Sequence, residues 1–375
     1  MARRPRAVET LVISRDFWRG RKVFMTGHTG FKGSWMSLLL ACLGARVYGY
    51  ALPPEREIDL FSLAGVEKDV EHHVDDIRDF SSLRQAIEDA APDIVIHMAA
   101  QALVRPSYAD PVGTYATNVM GTVHVLEAVR QLPHRVGAVI VVTSDKCYEN
   151  KGLRSNFREE DPLGGEDPYS SSKGCAELAT NAYRRSFFSN GGADLASVRA
   201  GNVIGGGDWA VDRLVPDVMR AFLSGATVEI RNPRAVRPWQ HVLDPVAAYL
   251  CLAQRLMNDR GKFAEAWNFG PESGGVSVED LLTRIARIWG EAARWKIVDG
   301  GRLPESAYLG LDCAKAARRL GWRPAFDLDE TLQLTVDWYR RYGEGANMRD
   351  VTLSQIERFL AKRESLQRSD AIARS

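Results

Sequence analysis

Two short stretches carry residues whose types and spacing suit proton transfer. In "YSSSK", Tyr169 and Lys173 stand four residues apart, so a helix would put both side chains on one face. A phenol titrates near ~10 and is a poor base at neutral pH, but a neighbouring ammonium favours the phenolate. Such a pair can remove a hydroxyl proton while hydride leaves the same carbon. In "VVTSDKCYEN", Ser144, Asp145 and Lys146 follow an apolar run. An acid beside an amine can give one proton and take another. Lys146 becomes a base only if burial and a second cation, Lys173, lower its ordinary ~10.4, against the pull of Asp145. Ser144 can bond a hydroxyl or keto oxygen. The bland alternatives are an amphipathic helix with Tyr inward and Lys outward, and a surface Asp–Lys after a strand.

Upstream, "TGHTGFKG" places Gly27, Gly30 and Gly33 at three-residue steps, with Thr29, Phe31 and Lys32 among them. Glycines let a backbone turn tightly against a pyrophosphate, and a following helix offers unpaired N–H groups and a positive dipole end. The apolar strand before this turn and the helix after it are what a dinucleotide site needs, and a cationic nicotinamide would itself favour the Tyr169 phenolate. The second strand ends "YGYALPPE", without the usual carboxylate for the adenine ribose. Arg56 could meet a 2′-phosphate, whereas Asp76, followed by Ile77, is better placed for the adenine end. Spacing alone leaves NAD and NADP open. Ala99, Ala100 and Gln101, after the fourth strand, fall where the ribose and nicotinamide would pass; His97 reads rather as a satisfied core residue.

These residues need a scaffold, and the pattern supplies one. Apolar strands in "RKVFMTG", "ARVYGYAL", "PDIVIHMAA" and "GAVIVVTS" alternate with helices in "FKGSWMSLLLACLG", "FSSLRQAIEDA" and "PVGTYATNVMGTVHVLEAVRQL". That alternation predicts an α/β fold, a Rossmann-type doubly wound parallel sheet covered on both faces. After about residue 200 the texture turns Gly-, Pro-, Arg- and Trp-rich, which predicts a smaller, irregular α/β substrate-binding domain. The expected division is an extension over 1–20, a dinucleotide-binding domain over 21–200 rejoined by part of 240–270, a substrate domain mainly over 201–345, and a C-terminal helix with a polar, frayed tail over 346–375.

Composition narrows the partners. A formal net charge of +1 gives no electrostatic case for nucleic acid or a membrane surface. The five Cys are scattered, which suits reduced thiols in a cytoplasm better than a disulfide framework. No cluster has metal-ligand spacing. "MARRPRAVET" lacks the apolar segment and cleavage site of a secretory signal, and no run approaches a membrane span.

Together the cradle, "YSSSK" and "VTSDK" resemble the extended short-chain dehydrogenase/reductase superfamily over nearly the whole chain. Within it, "TGHTGFKGSW", "TSDKCYEN", "DPLGGEDPYSSSKGCAE", "RAGNVIGGGDW", "DRLVPD" and "RPWQHVLDP" are similar to the CDP-glucose 4,6-dehydratases. The resemblance implies NAD as cofactor, CDP-glucose as substrate and an internal redox elimination. Tyr169 would take the 4-hydroxyl proton as carbon 4 loses hydride. Lys146 would then act at carbon 5, Asp145 would protonate the leaving 6-hydroxyl, and hydride would return to carbon 6. It also implies Arg237 first and Arg213 second at the diphosphate, with Asn202 and, more weakly, Tyr308 at sugar or phosphate. Arg231, Arg234 and Arg302 read equally as solvated, and Trp209 and Trp239 as base-pocket walls or simple packing. Cytosine rests on resemblance alone. The superfamily pairs two long helices, here around 110–131 and 166–190, across a two-fold axis, so a homodimer is expected, with a tetramer conceivable. A 4-epimerase would need no Asp145–Lys146 pair, and a non-catalytic NAD-sensing protein would not need Tyr169 and Lys173 intact.

Overall fold

The four apolar runs become β1 Lys22–Thr26, β2 Arg46–Ala51, β4 Ile94–His97 and β5 Ala138–Val142, and one sheet takes in three further strands, the mostly exposed β3 Val70–Val74, β6 Asp194–Ala200 and β7 Ala266–Phe269. In the computed structural model, which describes residues 13–372 apart from 153, 190, 273 and 299–305, they lie in the order β7-β6-β5-β4-β1-β2-β3. Every pair is parallel. The period of two sorts each strand onto both faces. Val23, Met25, Ile94, Ile96 and Ile140 pack with helices Phe31–Cys42 and Leu243–Asn258; Phe24, Val95, Val139 and Val141 pack with helix Phe80–Ala90 and the helix over 111–131. Burial on both sides explains why these strands read as continuous apolar runs. Helix Leu243–Asn258 and strand β7 come back to the sheet from the later half of the chain.

The irregular texture after residue 200 corresponds to three short ladders. Val203–Ile204 pairs with Gln240–His241, Val236–Arg237 with Val276–Ser277, and Val228–Ile230 with Trp295–Ile297. Helices Leu214–Leu223, Val278–Trp289 and Leu328–Gly343 pack around them.

Two expectations about the ends are corrected. The extension does not run to residue 20, because Trp18 is fully buried in the core and the Ser14 backbone N–H donates to Gln254 Oε1 at 3.2 Å. A side chain that large, removed from water, makes residues 14–18 part of the fold. The polar segment from Ala361 does not fray at its start, since one helix runs from Met348 to Ile372. It is pinned by Ile356, Phe359 and Leu360 in the core and by an ion pair between Lys362 and Glu330.

Candidate active site

Six strands end at one cleft of about 1500 Å³. Its floor comes from the residues just past their carboxyl ends: Gly27–Gly33 after β1, Leu52–Arg56 after β2, Asp75–Arg78 after β3, Met98–Arg105 after β4, Thr143–Lys146 after β5 and Gly201–Ile204 after β6. The strand order reverses between β1 and β4, and a doubly wound sheet opens its binding crevice at that point. The volume exceeds that of a usual single-ligand pocket, ~300–1,000 Å³, and suits a dinucleotide together with a second nucleotide.

The glycine turn fits a pyrophosphate. Gly27 has φ +78°, and a Cβ there would lie 2.7 Å from the Ala99 nitrogen. A Cβ on Gly33 would strike the Gly27 carbonyl oxygen at 2.1 Å. Gly30 differs: its Cβ would meet nothing nearer than 3.5 Å, and as N-cap of Phe31–Cys42 it leaves the first turn without a side-chain cap or an acidic residue. Two glycines therefore shape the turn and the third keeps the helix start open to an anion. Thr29 ties the turn to the end of β2 through a hydrogen bond to the Leu52 carbonyl, 2.9 Å. At the adenine end, Asp76 is held by Arg78 at 2.8 and 2.5 Å, and Ile77 is buried beside it. Arg56 is committed to the Trp209 carbonyl at 2.6 Å rather than turned to a 2′-phosphate. Ala99 and Gln101 are fixed through their backbone N–H groups, to Thr26 Oγ1 at 3.1 Å and Asn118 Oδ1 at 2.8 Å, with Ala100 between them. His97 is a core residue, bonded to Thr26 Oγ1 at 2.8 Å and Thr122 Oγ1 at 3.1 Å and pushed down to about 3 by burial, then by Lys173.

Tyr169 and Lys173 lie on helix Pro168–Tyr183, both buried and both on the cleft with Ser144, Asp145 and Lys146. Burial lifts the Tyr169 phenol to about 12; a hydrogen bond with Ser144 lowers it, Asp145 raises it and Arg213 lowers it. Arg213 is thus a cation that favours the phenolate. Ser144 Oγ also donates to Asp145 Oδ1 at 2.9 Å. Asp145 Oδ2 is buried with no hydrogen-bond partner among the described residues, and burial raises this carboxyl above its ordinary value against Lys146, Ser144, Arg237 and Lys32. A carboxyl so placed gives up a proton less readily to water than an ordinary one, which suits a general acid. The burial expected around Lys146 falls elsewhere: Lys146 is half-buried, whereas Lys173 is 6% exposed.

Asn202, Arg213 and Arg237 line the same cleft. Arg213 is oriented by Asp208 at 2.9 Å, and the charge of Arg237 reaches Asp145. Trp209 and Trp239 are buried in the core and also line the cleft. Arg231 also lines it. Tyr308 is not brought in: its hydroxyl donates to Asn156 at 2.7 Å, away from the lining. Arg302 lies outside the described residues.

Residues 24–335 match the GDP-mannose 4,6 dehydratase family. The chain belongs to that family. It is 49% identical to the CDP-glucose 4,6-dehydratase of Salmonella typhimurium over 357 residues, 93% of this chain and 99% of that protein. Among solved structures, MoeE5 in complex with UDP-glucuronic acid and NAD aligns with TM-score 0.72 and 26% identity over 86% of this chain and 99% of its own. The dTDP-glucose 4,6-dehydratase of Bacillus anthracis, solved with NAD, shares the fold at TM-score 0.73 and 22% identity, over 88% and 100% of the two chains.

The sequence of this family member does not point to Asn118, and it points to only part of what Lys32 does. Asn118 sits in a π turn, Ala116–Met120, inside the long helix. Its side chain donates to the Gln101 carbonyl at 2.9 Å and to Ser172 Oγ at 2.8 Å, bridging the loop after β4 to the helix of Tyr169. A buried Asn within an apolar helical run was the available signal, and a π turn often marks a functional site. Lys32 was assigned only to the phosphate turn, yet its charge acts on Lys173 at the reacting end. Burial, then Lys32, brings Lys173 down to about 8. An ammonium there loses its charge as pH rises through that value, so a reaction that uses it as a cation slows on the alkaline side. In Lys32→Met one of the two depressing causes is gone, and the alkaline limb moves to higher pH. A profile of kcat against pH at saturating cofactor checks this; an unmoved or lowered limb contradicts it.

Proposed function

We propose that this enzyme converts CDP-glucose to CDP-4-dehydro-6-deoxyglucose and water with NAD. The supporting observation is that Asp145, buried and short of one hydrogen bond, shares its cleft and its Ser144 with Tyr169. Bound NAD supplies the acceptor for the hydride of carbon 4 and gives it back at carbon 6. The turn Gly27–Gly33 would hold its pyrophosphate, and Asp76 would meet its adenine end. Tyr169 takes the proton of the 4-hydroxyl as the C4–H bond breaks, and Ser144 bonds the resulting keto oxygen. That keto group acidifies carbon 5. Lys146 takes the C5 proton, the C5–C6 double bond forms, the C6–O bond breaks and Asp145 gives the oxygen its proton, releasing water. Return of hydride to carbon 6 and a proton to carbon 5 completes the product. Arg237 and Arg213 grip the diphosphate, and Asn202 bonds the sugar or phosphate. The CDP-glucose 4,6-dehydratase of Salmonella typhimurium supports the choice of base.

Purified protein given NAD and, in separate reactions, CDP-, UDP-, dTDP- and GDP-glucose is expected to yield a 4-keto-6-deoxy sugar with CDP-glucose. Product from another nucleotide alone changes the substrate. Formation of a galactose epimer overturns dehydration in favour of epimerisation.

Val112, Met120, Leu178 and Phe187 are exposed, 78%, 47%, 58% and 51%, on the helices over 111–131 and 168–188. A second copy laid across these helices would cover them, making a homodimer; sedimentation as a monomer at micromolar concentration would exclude it. The five free thiols suit a cytoplasmic enzyme, which fractionation of the source cells tests.

A further inference from the structure

One buried ion pair holds both ends of the turn that carries Asp145 and Lys146. Glu177 and Arg199 lie 2.8 Å apart with side chains 2% and 3% exposed. Before the turn, the Thr143 hydroxyl donates to Glu177 Oε1 at 2.5 Å. After it, Arg199 donates to the Tyr148 hydroxyl at 2.7 Å. That hydroxyl donates onward to Asn268 Oδ1 at 2.7 Å, and the Tyr148 ring stacks on Phe157 with centroids 4.8 Å apart. The chain from Thr143 to Tyr148 is therefore gripped at each side of Asp145 by two groups that also grip each other.

The same pair is tied to the hydride-transfer residues. Tyr169, Lys173 and Glu177 follow at i, i+4 and i+8 on helix Pro168–Tyr183, on one face. Displacing the helix would move the phenol and the grip on Thr143 together. Taking two charges out of water is a weak route to stability, and replacing such a pair by apolar residues is often neutral or better. What the pair fixes accounts better for its presence than the stability it adds.

We infer that Glu177 and Arg199 are positioning residues, clamping the 143–148 turn so that Asp145 faces carbon 6 when Tyr169 faces the 4-hydroxyl. This rests on the dehydratase reading above. Asp145 touches the leaving oxygen, and Ser144 and Lys146 ride on the same turn; the clamp acts only through these three.

Thr143→Val and Tyr148→Phe each remove one grip, conserve volume and leave the ion pair in place. Misplacement of a catalytic group by about 1 Å can slow a step about 100-fold, so each variant is expected to convert CDP-glucose at least about tenfold more slowly. The 6-deoxy-6-fluoro analogue loses fluoride without a proton from Asp145 but still needs Lys146 at carbon 5, so its conversion is expected to fall clearly less than that of CDP-glucose. Thr143→Ser keeps the hydroxyl and is expected to restore the rate. NAD and CDP-glucose are expected to raise the Tm of each variant as they raise that of the parent. Unchanged rates overturn the inference, as do equal losses on both sugars or a lost Tm rise, which belong to a general scaffold. If the parent protein converts neither sugar, the dehydratase reading falls, and the clamp with it.

Discussion

Tyr169→Phe is expected to lower kcat by about 10²- to 10⁴-fold, the range for losing a positioned general base. Phe keeps the ring that packs on helix Pro168–Tyr183, so the fold and both ligand sites should survive. What is lost is the oxygen that bonds Ser144 and receives the substrate proton. The protein by itself holds this phenol near about 12, burial being the main cause. It is thus a reluctant anion until a cationic nicotinamide ring lies beside it, and proton removal is tied to the presence of an oxidant. The measurement is kcat with CDP-glucose alongside the Tm rise produced by NAD. A variant within tenfold of the parent rate would remove Tyr169 from the chemistry; a lost Tm rise would make it a binding residue.

Asp145→Asn should fall by a comparable factor, but at a different step. The amide preserves shape and can still accept from Ser144 Oγ, yet has no proton to give the 6-hydroxyl. Loss of a positioned acid is worth about 10²- to 10⁴-fold on CDP-glucose, and the 6-fluoro analogue should recover most of that. Lys146→Ala separates the partner role: exchange of the carbon-5 hydrogen with deuterated water during turnover is expected to fall at least about tenfold. Equal loss on both sugars in Asp145→Asn would take the acid role from Asp145. Unchanged carbon-5 exchange in Lys146→Ala would take the base role from Lys146.

Much of this site is readable from the chain because its parts are local. Gly27, Gly30 and Gly33 answer to the geometry of one turn, and Tyr169 with Lys173 to one helical step; Ser144–Lys146 simply follow the apolar strand β5. The parallel sheet was legible because strands buried on both faces lose the polar alternation of half-exposed ones. What stayed hidden depends on residues far apart in sequence. Glu177, Arg199, Tyr148 and Thr143 meet only when two strands and a helix pack, and no short motif announces their bonds. Lys173 is pressed down by burial and then by Lys32, more than a hundred residues earlier, and neither cause is written in the local sequence. Tyr308 shows the same limit: its local pattern does not say that Asn156 accepts from its hydroxyl. Trp18 is a further case, since a basic, polar neighbourhood conceals one side chain the core needs.

The central claim is that a hydrogen removed from carbon 4 is kept within the site and returned two carbons away. CDP-glucose carrying deuterium at carbon 4, converted in ordinary water with NAD present, tests it directly by NMR of the product. The label is expected on carbon 6 of the 4-keto-6-deoxy sugar, with solvent hydrogen on carbon 5. Deuterium back on carbon 4 of an epimer, or lost to water, would contradict it.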